Sequence, residues 1–206
     1  MAAEFSAIVL AGGRSSRMGR PKDELDFGGM PLLDRVIAEL QPSFPDMVVV
    51  AAPEGLGLRR DDVSGVTIVR YEREYQGPLP ALARGLGAIR CDAAFACSCD
   101  LPLLDARVAN ALCAMLGDYD AVVPEIGGLV QPLHAVYRKR CAAPIDAMIA
   151  RGEKRLVTIV ESIKARRAGE DELRRIDPGL RSFLNVNTPE DYQRALRLIS
   201  ESSKSA

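Results

Sequence analysis

The residues with the greatest chemical potential are gathered in Leu10-Ala11-Gly12-Gly13-Arg14-Ser15-Ser16-Arg17-Met18-Gly19-Arg20-Pro21-Lys22. Three glycines let the backbone approach a ligand closely, and Ser15 and Ser16 add hydroxyl donors. Arg14, Arg17, Arg20 and Lys22 place four cations together with no acidic residue between them. Backbone amides for oxygens and cations for charge are what a polyphosphate requires. The same composition also suits a solvated basic turn. The loop is not a Walker A motif, because Arg17 and Met18 stand where Gly-Lys would be needed, and glycines at 12, 13 and 19 do not form GxGxxG.

A second candidate is Asp100, in Cys97-Ser98-Cys99-Asp100-Leu101-Pro102. An Asp at the carboxyl edge of a strand can hold a hard cation such as Mg²⁺, which accepts one or two carboxylates together with substrate phosphates. It can equally cap the helix or turn that follows. Histidine chemistry is nearly excluded, since His134 is the single histidine. A multi-histidine zinc site is therefore not available, and a Ser-His-Asp triad would depend on that one residue. The five cysteines contain no CxxC pair, and an odd number fits reduced, buried thiols in the cytoplasm.

These groups must be positioned by a chain of 206 residues with formal net charge -1, which reads as a single domain spanning 1–206. The balanced charge argues against a nucleic-acid partner, as do 5% aromatics and the absence of Trp. The apolar run near the N-terminus, Ala7 to Ala11, is too short for a signal peptide, and no run approaches a membrane span. Cytoplasmic location and no membrane partner are the expectations.

Apolar runs and helical patterns alternate along the chain. Strands are expected at 6–10, 47–51, 66–69, 93–97, 120–124, 131–137 and 183–186. Helices are expected after Pro31, after Pro78, over about 105–116, twice between 139 and 163, and after Pro189. Residues 164–181 read as a polar surface excursion, and the basic pairs Arg166-Arg167 and Arg174-Arg175 within them as a solvated face. Strands that are apolar throughout and bounded by helices predict a mostly parallel sheet covered on both faces, a three-layer α/β/α fold. Such sheets bind ligands beyond the carboxyl ends of their strands.

With these elements placed, the chain resembles the MobA family of molybdenum cofactor guanylyltransferases, nucleotidyltransferases of Rossmann-like fold related to the nucleotide-diphospho-sugar transferases. The resemblance rests on ordered blocks: Leu10 to Gly19 with Lys22, Gly77-Pro78-Leu79, Cys99-Asp100-Leu101-Pro102, Gln131-Pro132-Leu133-His134, Gly152-Glu153-Lys154-Arg155 and Asn185-Val186-Asn187-Thr188-Pro189. It implies transfer of GMP from GTP to the phosphate of molybdopterin, with release of pyrophosphate and use of Mg²⁺.

By that resemblance, Gly12, Gly13 and Arg17 hold nucleotide phosphates, Lys22 neutralises the α-phosphate, and Asp100 binds the metal. Leu10, Ala11, Arg14, Ser15, Arg70 and Gly77 complete the nucleotide-binding set. Gln131, His134, Gly152, Arg155, Asn185 and Asn187 are assigned to the pterin side. Read from residues alone, Asn185 and Asn187 are turn residues before a Pro-started helix, and His134 is as well explained by a structural role. GTP and molybdopterin are the implied substrates, and the activity allows transient contact with proteins that deliver molybdopterin or mature molybdoenzymes.

The chain departs from the family pattern at Arg70, where many members carry Asp, at Ala51-Ala52-Pro53, and at the acidic Asp23-Glu24-Leu25-Asp26. All three bear on base recognition. The alternatives are a cytidylyl or other nucleotidyl transfer on the same fold, and a non-catalytic nucleotide-binding adaptor.

Overall fold

Three short runs without a charged side chain build the centre of the sheet: β1 (Ser6–Ala11), β2 (Met47–Ala51) and β4 (Ala93–Ser98). Every residue of β1 and β2 is buried, and β4 is buried up to Ser98. Strands covered on both faces carry no polar alternation. The structure is a computed structural model that describes residues 5–11, 25–52, 64–70 and 77–204.

The described elements run β1, α1 (Leu32–Leu40), β2, β3 (Val66–Arg70), α2 (Pro78–Ala88), β4, α3 (Ala106–Ala114), β5 (Ala121–Ile126), β6 (Leu129–Val130), β7 (His134–Arg138), α4 (Ala142–Ala150), α5 (Thr158–Ser162), β8 (Ala165–Gly169), α6 (Glu170–Arg174) and α7 (Pro189–Lys204). Proline starts three of these helices for one reason: it has no amide hydrogen to leave unpaired and its φ is already helical. Pro31 precedes α1, Pro78 is the first residue of α2 and Pro189 the first of α7. Asp105 caps α3, its carboxylate accepting from the Arg107 amide at 2.8 Å.

The sheet order is β3-β2-β1-β4-β7-β5-β6, with β8 on β5. Pairs β1–β2, β1–β4, β2–β3 and β5–β8 are parallel, whereas β7 runs against both β4 and β5, and β6 against β5. The expected mostly parallel, three-layer α/β/α arrangement holds. Side chains alternate between two clusters: Val9, Val49 and Phe95 point to the layer with α1, α3 and α7, while Ile8, Val48 and Ala96 point to α2, α4 and α5. Burying each large aliphatic side chain contributes about 1.5–3 kcal/mol, which these two layers collect on both faces of one sheet.

Two local expectations fail. Residues 164–181 are not a surface excursion, because Ala165–Gly169 adds strand β8 to β5. Its arginines hid the strand: Arg166 pairs with Glu172 at 2.7 Å and Arg167 with Glu125 at 2.8 Å, while Ala168 between them and the helices is fully buried. Residues 183–186 form no strand. A 3-10 turn over Arg181–Phe183 follows Leu180, which sits in the left-handed region at φ 49°, and the chain then runs irregularly to Asn187. The expected strand at 131–137 is also shorter, with β7 beginning at His134.

Candidate active site

Strand order decides where a ligand can lie. The chain leaves β1 towards β2 and β3, then crosses back through α2 to add β4 on the opposite side of β1. The helix leaving β1, α1, and the helix leading into β4, α2, therefore lie on opposite faces of the sheet, and the strand order reverses at β1, which places the ligand crevice of such a sheet between the carboxyl ends of these two strands. Leu10 and Ala11 end β1 at this crevice, both less than 10% exposed. Residues 12–24 follow, so Gly12, Gly13, Arg14, Ser15, Arg17 and Lys22 lie outside the described residues. Across the crevice, β4 ends at Ser98 and delivers Asp100.

Three hydrogen bonds fix that carboxylate's surroundings. The Cys99 amide donates to the Leu10 carbonyl at 3.1 Å, stitching the two strand ends beyond the last ladder pair. The Ser98 hydroxyl donates to Asp100 Oδ1, and the Asp100 amide lies 3.3 Å from Ser98 Oγ. Asp100 is half-buried and does not cap α3; Asp105 does. Below it, burial raises the Cys97 thiol pKa well above the ordinary range, and the charges of Cys99 and Asp100 add to this. Cys97 therefore stays a protonated, buried thiol.

The C-terminal segment reaches the same place. The Val186 amide donates to the Asp100 carbonyl at 2.9 Å, so the exposed Asn185 and Asn187 flank the point of contact. The Asp191 carboxylate accepts from the amides of Asn187 and Thr188, both at 3.0 Å, closing the turn into α7. These amide contacts, with burial opposing them, hold the Asp191 carboxyl below its usual range. Further on, the Tyr192 hydroxyl donates to the Asp26 carbonyl at 2.5 Å and its ring meets Phe27 edge-on. One segment thus touches both the turn after β4 and the chain that follows Lys22. Ser98, Val186 and Tyr192 were missed in the sequence. A lone hydroxyl near the end of an apolar strand was the only signal for Ser98, and a backbone amide leaves none.

Arg70 ends β3, and its carbonyl accepts from Arg84 Nη1 at 2.8 Å. Gly77 precedes α2 with φ 106° and ψ 173°, a conformation reserved for glycine. Gln131 lies between β6 and β7, its amide donating to the Pro124 carbonyl at 2.8 Å. Gly152 and Arg155 lie in the α4–α5 loop on the other face of the sheet. There Glu153 accepts from the amides of Arg155 and Lys154, which lowers its pKa.

The pterin-contact expectation for His134 needs correction. Its side chain is 2% exposed, with the ring between Phe95 (centroids 5.2 Å apart) and Phe183 (4.2 Å). Burial pushes its pKa down to about 3, only partly opposed by Asp105, so it stays neutral. It belongs to the core, one layer below the crevice. The basic residues 166, 167 and 174 are likewise spoken for, Arg174 by Glu170 at 2.6 Å.

Residues 7–168 match the MobA-like NTP transferase domain. A probable molybdenum cofactor guanylyltransferase of Methanothermobacter thermautotrophicus is 36% identical over 201 residues, covering 91% of this chain and 97% of the relative. Another of the same description, from Pelotomaculum thermopropionicum, is 31% identical over 205 residues, covering 98% and 96%. The crystal structure of molybdopterin-guanine dinucleotide biosynthesis protein A from Archaeoglobus fulgidus superposes with a TM-score of 0.82 at 24% identity, over 96% of this chain and 100% of that one. The 4-diphosphocytidyl-2C-methyl-D-erythritol synthase of Anaerococcus prevotii shares the fold at TM-score 0.73 and 14% identity, covering 96% of each chain. With its strand order and its match across most of the sheet, this chain belongs to the MobA-like NTP transferase family and is a nucleotidyltransferase.

Proposed function

We propose that the protein transfers GMP from GTP to the phosphate of molybdopterin, releasing pyrophosphate and forming the guanine dinucleotide cofactor. The observation that carries this reading is the placement of Asp100. It sits at the β1/β4 crevice, tied to β1 through Cys99 and to the Asn185–Asn187 segment through Val186. The relatives described as guanylyltransferases favour guanine as the base. The same sheet carries both hydrophobic clusters, which supports one catalytic domain across 1–206.

In the reaction, an oxygen of the acceptor phosphate attacks the α-phosphorus of GTP. A new P–O bond forms, the bond from the α-phosphorus to its bridging oxygen breaks, and pyrophosphate departs with that oxygen. A phosphate monoester is already anionic near neutral pH, so no strong general base is required. A buried, neutral His134 is consistent with that. The obstacle is the approach of one anion to another, which calls for positioning and charge neutralisation. Lys22 and Arg17 would answer it from the loop after β1, with the amides of Gly12 and Gly13 on the phosphate oxygens.

The donor set fits Mg²⁺. Asp100 offers hard oxygen, and the buried Cys97 thiol nearby in the chain stays protonated. A site of one carboxylate completed by substrate phosphates and water is how this ion is commonly held. Asp100 would hold it, and it would supply charge neutralisation at the phosphates. Asn185 and Asn187 would then face the acceptor, with Gln131, Gly152 and Arg155 as the remaining candidates for the pterin side. Among the described residues, no helix is long and apolar enough to cross a membrane.

Pyrophosphate release from GTP, measured with and without molybdopterin and Mg²⁺, tests the reading. Release that needs all three is expected. Faster release from CTP would make the enzyme a cytidylyltransferase, and no release from either nucleotide would overturn the transfer reading.

A further inference from the structure

Three of the four buried polar or charged side chains among the described residues meet at one point: His134, Asp177 and Ser182. Ser182 is the hub. Its amide donates to Asp177 Oδ2 at 2.8 Å, and its hydroxyl oxygen accepts from the Asp105 amide at 3.1 Å. The same oxygen lies 3.3 Å from His134 Nε2, and Phe183, the next residue, covers the imidazole. His134 Nδ1 has no hydrogen-bond partner. An apolar pair of similar volume would cover this part of the core without that unmet bond, so the polar contact is suited to fixing a geometry.

What it fixes can be read from the chain beyond it. Residues 184–188 belong to no helix or strand. Their position depends on the Ser182 anchor before them, the Val186–Asp100 bond within them and the Asp191 turn after them. Asn185 is three residues from Ser182 along the chain. We propose that His134 and Ser182 are positioning residues that set the Asn185–Asn187 segment against Asp100, and so govern engagement of the acceptor substrate and leave the nucleotide side unaffected. The kinetic part of this proposal rests on the guanylyl-transfer reading; the structural part does not.

The test uses the full-length protein and three variants. His134→Phe keeps bulk and ring contacts but loses the bond to Ser182, Ser182→Ala removes the other partner, and His134→Gln returns a polar group near the position of Nε2. Amide hydrogen exchange is read at Val186 and, as reference, at Ile8 and Val9 in β1. Exchange at Val186 is expected to rise about tenfold in His134→Phe and Ser182→Ala, the effect of one lost hydrogen bond, with the β1 amides unmoved and His134→Gln close to wild type. In turnover, KM for molybdopterin should rise by a similar factor, about tenfold, while KM for GTP holds. The proposal is overturned if Val186 keeps its protection in both variants, if it loses protection only in step with Ile8 and Val9, or if His134→Gln behaves like His134→Phe. A wild-type enzyme without molybdopterin-dependent turnover would defeat the transfer reading alone, because the exchange result stands without it.

Discussion

Acidification should weaken this fold through His134 well before most carboxylates titrate. Its native pKa lies near 3 because a buried imidazolium would lose its hydration, whereas in the unfolded chain it takes up a proton near pH 6.5. Protons therefore bind the unfolded state first. The contribution is fully present above pH 6.5 and is lost as pH falls towards 3, at about 1.4 kcal/mol per pH unit. At pH 5 the loss amounts to roughly 2 kcal/mol, a sizeable part of the 5–15 kcal/mol typical of a domain. Urea unfolding of wild type and His134→Gln at pH 7, 6 and 5 isolates the effect, since every other titrating group is common to both. The wild-type midpoint should fall more steeply, and the stability of wild type relative to the variant should drop by about 2 kcal/mol across the range. Parallel pH profiles would refute the reasoning, because they would mean that His134 meets its proton equally in both states.

Gly85→Ala should destabilise by about 1–3 kcal/mol in thermal or urea unfolding, despite alanine's better helix propensity, because the new Cβ would stand 2.6 Å from Cγ2 of the fully buried Ile8. Gly77→Ala meets no atom of the described residues within 4 Å, and its cost of roughly 1–3 kcal/mol is one of backbone strain at φ 106°, measurable as a lowered Tm. Asp100→Ala should reduce pyrophosphate release ~10²–10³-fold, while the Val186 bond, made to the backbone carbonyl, survives the substitution. Lys22→Ala should show the same loss of rate, and near-normal turnover by either variant would remove that residue from the reaction.

The central sheet was legible because burial on both faces demands uninterrupted aliphatic runs, and Ser6–Ala11, Met47–Ala51 and Ala93–Ser98 are such runs. The proline-started helices were legible because the constraint is local. Strand β8 was not, since an edge strand tolerates Arg166 and Arg167 when Glu172 and Glu125 lie opposite, and sequence does not show what lies opposite. The apolar residues at 183, 184 and 186 misled in the other direction. They pack as an irregular segment, with Val186 fully buried and its amide committed to Asp100 in place of a ladder. Of the site, Asp100 was visible from its place after a strand. The hydrogen bonds that hold it join residues 10, 99, 100 and 186, a proximity created only by the fold.

The sheet order also constrains how the chain is made. β7 lies between β4 and β5, yet β5 leaves the ribosome before it. Until β7 emerges, β4 has β1 on one side and an open edge on the other, and that edge is Ala-Ala-Phe-Ala-Cys, without a charge to discourage a foreign strand. Docking β5 there early would shut out the strand that carries His134. A nascent chain that has emerged past β4 but not yet through β7 is therefore exposed to strand-to-strand aggregation, and slow synthesis over that interval should lower the yield of soluble protein.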